Sequence, residues 1–237
     1  MPDQPVSDAA ARDYASLFNP PFALDRGRVA LVVVDMQYAS ASRSDGLGAL
    51  LKAKGLEDRG TYRFDRIEQV VTPTIQSLLV AFRRETLPVI YLTVGSELPD
   101  FSDMLPGMRR FAEAIGNTEG AKEHRILDAL APLPGEAVVN KTTMSAFHSS
   151  GFERLAQAMG RTQLCFTGVS TNSCVEGTAR DAADRGFQCV IVEDGCGAAS
   201  AELHDGACRN FARLLGRVAT ARAIMEELAI VPAGGRQ

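Results

Sequence analysis

The chain has no tryptophan, three histidines in 237 residues, and no Cys-x-x-Cys pair. His124, His148 and His204 lie far apart in sequence and read as surface or helix residues. His204 and Cys208 could share a helix face, but two ligands without a third do not make a zinc site. No metal or other cofactor is therefore expected. Five cysteines, Cys165, Cys174, Cys189, Cys196 and Cys208, cannot all pair within one chain and read as reduced thiols. The longest aliphatic runs, such as residues 29–34, fall far short of the ~20 residues that cross a bilayer. No membrane association is expected. Basic residues never cluster into a run, and 25 Lys and Arg against 29 Asp and Glu leave a net charge of −4, so nucleic acid is not an expected partner. The opening residues have no continuous apolar stretch, unlike a signal peptide, and the expected localisation is cytoplasmic.

What is present is an ordinary globular composition, 46% hydrophobic and 23% charged. Area scaling lets a chain of this mass bury about 70% of its unfolded surface. Short β-branched runs at 29–34, 88–93, 137–140, 163–167 and 188–192, with a weaker one near Val218, alternate with longer amphipathic stretches. That alternation predicts a doubly wound α/β domain with a mainly parallel sheet. Residues 66–84 place Ile67, Val70, Val71, Ile75, Leu78 and Leu79 at helical spacing, with Pro73 as a point where a kink is expected. Helices are also expected at 148–159, 174–185, 201–215 and 220–228, with Gly160 and Gly186 as C-terminal caps. No repeat or linker divides the chain, which reads as a single domain over 1–237 with an N-terminal arm at 1–26. The insert at 40–62 is too long for a simple βα connection and reads equally as a substrate-covering excursion or as loop decoration.

In an open α/β sheet, ligands bind beyond the carboxyl ends of the strands. Asp35 ends the first strand in VVVDMQ, Lys141 ends the third in AVVNK, and Cys174 follows the fourth in CFTGVSTNSC. With strand order 3-2-1-4-5-6, the first and fourth strands meet at the switch point, so Asp35 and Cys174 flank one crevice and Lys141 reaches in. A cysteine opening a helix faces the positive end of the helix dipole. Together with one ammonium, this could lower its pKa by about two units, which corresponds to roughly 2.7 kcal/mol. A dinucleotide site is disfavoured, because Asp35-Met-Gln-Tyr38 stands where Gly-x-Gly-x-x-Gly would have to be, and Gly195-Cys-Gly197 lacks the third glycine.

DMQ after the first strand, KTTMSAF after the third and GVSTNSCVEGTARDA after the fourth together resemble the isochorismatase-like cysteine hydrolases. The resemblance implies a three-layer α/β/α fold with a six-stranded, mainly parallel sheet, and a homo-oligomer, dimer or tetramer. It also implies a catalytic triad of Asp35, Lys141 and Cys174, a non-proline cis bond at Val169–Ser170, and an oxyanion hole from the Ser170 and Cys174 backbone N–H groups. Nicotinamidases of that family bind a metal through Asp-x-His. Here the stretch after Asp35 holds no histidine, so nicotinamide is disfavoured. Isochorismatases proper lack the nucleophilic cysteine, which points this chain to C–N hydrolysis of a small amide, N-carbamoyl or ureido compound through a thioester. The alternative is an inactive or regulatory small-molecule-binding oligomer of the same fold. Gln37, Tyr38, Phe147 and Asn172 are the expected substrate contacts. The segment 96–110, with Glu97, Asp100, Arg109 and Arg110, reads as an exposed charged loop.

Overall fold

The computed structural model describes residues 14–230. Of the expected arm, residues 1–13 lie outside this range. Tyr14–Phe18 forms a 3₁₀ turn, and Asn19 ties the segment down by donating to the carbonyls of Ala212 and Gly216.

Six strands form one parallel sheet: β1 Val29–Val34, β2 Val89–Val94, β3 Ala137–Lys141, β4 Gln163–Val169, β5 Gln188–Gly197 and β6 Arg217–Ala219. Their order is β3-β2-β1-β4-β5-β6, the common doubly wound order assumed above, so the winding reverses between β1 and β4. β4 and β5 run longer than their apolar runs suggest, and they carry the turn Thr171–Val175 and a late glycine pair to the sheet's carboxyl edge. The central strand β1 is buried along its whole length, which is why it reads as a continuous run of aliphatics with no polar alternation. Its side chains still alternate. Val29, Leu31 and Val33 join one core, whereas Ala30, Val32 and Val34 join the other.

Among the described residues, ten α-helices and several short 3₁₀ or π turns cover these two faces or the carboxyl edge. The ones that position the site are α1 Tyr38–Ala41, α2 Gly46–Ala53, α3 Thr61–Arg66, α4 Thr72–Arg84 and α5 Pro106–Ile115. Beyond β3 come α6 Ala146–Ser149, α7 Phe152–Ala158, α8 Glu176–Asp184, α9 Ala201–Ala212 and α10 Ala221–Glu227. α3 and α4 run on through a π turn at Ile67–Val71, with Pro73 at the start of α4, where its missing N–H costs nothing. Ile67, Val71, Ile75 and Leu78 seal one core together with Ile224 and Met225 of α10. Phe152, Ala156, Val175, Ala179 and Phe211 seal the other. The expected helix at 148–159 is two pieces, broken at Ser150 and Gly151. Gly160 and Gly186 take positive φ values of 66° and 86° after their helices, as C-terminal caps do.

The segment read as a charged loop contains α5 instead. Met108 and Phe111, one turn apart, face inward, while Arg109 pairs with Glu113 on the outer side. The charges that suggested a loop are this helix's solvent face. The 40–62 insert is largely helical, and α2 packs against α5 across the carboxyl edge of the sheet.

Candidate active site

Asp35 is the first residue beyond β1, and its backbone sits at φ 50°, in the left-handed region that non-glycine residues rarely occupy. Its N–H donates to the Leu92 carbonyl at 2.8 Å, and its own carbonyl accepts from Ser40 Oγ at 2.6 Å, so both sides of the residue are pinned. The bend turns the carboxylate across the edge of the sheet. From β3, two strands away, fully buried Lys141 donates from Nζ to Asp35 Oδ2 at 2.8 Å. Asp35 Oδ1 is equally buried and has no hydrogen-bond partner among the described residues.

The third group arrives from β4. Gly168 adopts φ 107°, and a Cβ there would lie 2.0 Å from the Val34 carbonyl oxygen, so only glycine lets β4 pass β1 at this point. The Val169–Ser170 peptide is cis. The turn Thr171–Val175 then runs into α8, placing the Cys174 thiol within hydrogen-bonding reach of both Asp35 and Lys141. Asp35, Lys141 and Cys174 are thus brought to one point, with Ser170 beside them.

Electrostatics here differ from the sequence expectation. Burial, and secondly the Asp35 charge, push the Cys174 thiol up to about 12, against the opposing pull of Lys141. The dipole of the helix start does not offset a site this dry, and the resting group is a thiol. Burial alone would lower Lys141, but Asp35 and Cys174 outweigh it and keep the ammonium charged.

A third charged residue, Arg63 of α3, was not singled out by sequence. It is 7% exposed, donates from Nε and Nη2 to the Ser40 carbonyl at 3.2 and 2.8 Å, and from Nη1 to Ser170 Oγ at 2.7 Å. Burial lowers it to about 10, which leaves it charged at neutral pH. Its sequence signal is positional: Arg63 heads the row Arg63, Ile67, Val71 and Ile75, spaced by four, whose other members are core. An arginine on a core stripe is out of place unless the stripe ends in a site.

Asp35, Arg63, Ser170 and Cys174 open onto a cavity of about 450 Å³, whose apolar wall is formed by Leu47, Val94, Met108, Phe111, Met144 and Val169. Ser40 and Leu47 come from the 40–62 insert, which therefore walls the cavity on one side.

The expected substrate contacts are not part of that wall. Gln37 is fully buried and acts as a structural clamp, accepting from the Val94 N–H and donating to the carbonyls of Val94 and His124. Tyr38 points outward beneath Lys122 and Arg125. Phe147 packs edge-on to Phe152, with Arg185 over its ring. Asn172 is exposed and does not line the cavity. Closeness in sequence to the triad put these four forward, but successive residues at a strand end point in different directions. The histidines are also separate: His124 bonds Asn140, His148 meets Asp181, and His204 bridges Arg66 and Thr171.

A family model for the isochorismatase domain matches residues 29–223. A ureidoacrylate amidohydrolase of Methylobacterium radiotolerans is 32% identical, over 90% of this chain and 86% of its own length. One from Stutzerimonas stutzeri is 31% identical, over 90% and 87%. Among solved structures, a cysteine hydrolase from Pseudomonas syringae pv. phaseolicola superposes with a TM-score of 0.73 at 23% identity, covering 88% of this chain and 96% of that one. An N-carbamoylsarcosine amidase from Thermoplasma acidophilum has the same fold at a TM-score of 0.61 and 23% identity, covering 82% and 96%.

Proposed function

The chain belongs to the isochorismatase family, and on that premise we propose that it is an amidohydrolase that breaks a non-peptide C–N bond in a small ureido or N-carbamoyl compound. The observation that carries the chemistry is the divided Asp35 carboxylate. Oδ2 is committed to Lys141, while buried Oδ1 has no hydrogen-bond partner among the described residues, and the same carboxylate is within reach of the Cys174 thiol, which lines the cavity. An acceptor left bare in a dry site is poised to take a proton.

The reaction then follows from the residue types. The Cys174 proton passes to Asp35 Oδ1 as sulfur attacks the carbonyl carbon. That transfer also removes the carboxylate charge that disfavours a thiolate, leaving Lys141 and Arg63 as the charges facing sulfur. The carbonyl π pair moves to oxygen, which the backbone N–H groups of Ser170 and Cys174 receive. Collapse of this adduct breaks the C–N bond, Asp35 returns its proton to the departing nitrogen, and the acyl or carbamoyl group stays on sulfur. Water attacks the thioester, giving one proton to Asp35, which then restores the thiol.

The two ureidoacrylate amidohydrolases, similar along most of their length, support the ureido substrate class. Ammonia release from a panel of small amides, N-carbamoyl amino acids and ureides, with the Cys174→Ala protein as blank, tests the reading. We expect Cys174-dependent turnover, and a mass increase on Cys174 when a slow substrate is trapped. Turnover retained by Cys174→Ala would refute the mechanism.

A further inference from the structure

The buried charges of this site do not balance. Two cations, Lys141 and Arg63, face one carboxylate, and that carboxylate is bonded to Lys141. All the hydrogen bonds of Arg63 go to neutral oxygens, those of Ser40 and Ser170, and they use three of its five N–H groups. A guanidinium held this far from water is costly unless an anion completes it. It stands at a cavity whose nearest other walls, Leu47, Val94, Met108 and Phe111, offer nothing negative.

We propose that Arg63 is a carboxylate anchor, and that the preferred substrate is therefore a short ureido or N-carbamoyl acid whose carboxylate pairs with Arg63 while its carbamoyl carbon meets Cys174. This rests on the hydrolase reading above and adds which member of that class is accepted. Three features support a carboxylate specifically. The guanidinium presents a planar fork suited to two parallel hydrogen bonds with a carboxylate. Its contacts with the Ser40 carbonyl and Ser170 Oγ hold that fork in a fixed orientation, so little freedom is lost on binding. The apolar wall accommodates a short hydrocarbon spacer between the two polar ends.

A competing role would be to hold the Cys174 thiolate, since Arg63 also feels sulfur. The two roles separate by measurement. In the wild-type protein, kcat/KM is compared for N-carbamoyl-β-alanine and its primary amide, which share the scissile bond and differ in charge. The acid should be preferred by about tenfold or more, the range of a charge-assisted pair in a dry site. In Arg63→Gln the preference should vanish through a raised KM for the acid alone, while any fall in kcat from the charge lost beside sulfur is shared by both compounds, and Arg63→Lys should restore part of the preference. Calorimetric binding of both compounds to Cys174→Ser protein gives a second reading that needs neither turnover nor an altered arginine, with the acid binding more tightly. Equal kcat/KM for acid and amide, or an equal loss on both in Arg63→Gln with an altered pH profile of Cys174 alkylation, would overturn the anchor and leave the hydrolase standing. If no compound is turned over, the hydrolase reading fails. The calorimetry then decides the anchor, and it fails too if the acid binds no better than the amide.

Discussion

Lys141 and Asp35 stand two strands apart in the sheet, yet their charged groups meet at 2.8 Å with essentially no exposure to water. Because the lysine takes only Oδ2, the pair both neutralises the carboxylate and leaves its other oxygen chemically available. A pair this dry stabilises the fold only as a pair.

Removing one member should therefore destabilise more than removing both. Lys141→Met strands the Asp35 carboxylate in the interior, and a loss of about 3–5 kcal/mol is expected in urea unfolding. The double variant Asp35→Leu, Lys141→Met removes both charges and should recover much of that loss while remaining inactive. If the double variant falls by the sum of the single effects, the two charges are not coupled.

Asp35 also sets the state of the Cys174 thiol. After burial, its charge is the largest influence raising the Cys174 thiol. Asp35→Asn deletes that charge but leaves Lys141 and Arg63 facing sulfur, so the thiol's pKa should fall. Iodoacetamide should then alkylate Cys174 faster at pH 7 in the variant than in the wild type, while hydrolysis is lost. The other four cysteines are buried in the core and should stay unlabelled. Slower labelling in Asp35→Asn would mean that the carboxylate promotes the resting thiolate instead.

The parallel sheet and the meeting of Asp35, Lys141 and Cys174 at its carboxyl edge were legible because both rest on local signals. Aliphatic runs mark parallel strands, and a polar residue ending such a run marks the carboxyl edge, where sites lie. Arg63, Met108 and Phe111 were not legible, since they reach the cavity from helices whose docking no local pattern specifies. The acidic and basic residues around Arg109 further disguised α5 as a loop. Gln37 misled for the opposite reason: it neighbours the base in sequence, yet its amide ties Val94 and His124 together behind the site. The thiol's ionisation was misjudged because the spacing of residues carries no information about dryness, and in this site burial outweighs the helix terminus.

Gly168 offers a test of how β4 delivers the nucleophile turn. Alanine there would need φ 107° and would drive a methyl group to 2.0 Å from the Val34 carbonyl oxygen. Neither strand can yield, since both are central. Gly168→Ala should cost ~3 kcal/mol or more and abolish turnover even in the fraction that stays folded. Gly177, on the open face of α8, has nothing within 4 Å of an added Cβ and serves as the control. Equal behaviour of the two variants would remove the claim that this crossing requires glycine.

His204 couples the Thr171–Val175 turn to pH. Its Nε2 faces Arg66 Nη2 at 3.0 Å, and because arginine can only donate, the imidazole accepts there and its Nδ1–H donates to Thr171 Oγ1 at 2.9 Å. Burial first, and then the Arg66 charge, lower this histidine from 6.5 to about 4, so it is neutral in the folded protein. A folded-state pKa below the unfolded one means that its contribution is fully present above pH 6.5 and is lost as pH falls towards 4. The contribution amounts to up to about 3 kcal/mol. Unfolding free energy measured between pH 7 and pH 4 should fall in the wild type, and the slope should flatten in His204→Gln, whose amide keeps a hydrogen-bond donor without a titrating proton. An undiminished slope in that variant would assign the acid sensitivity to other groups.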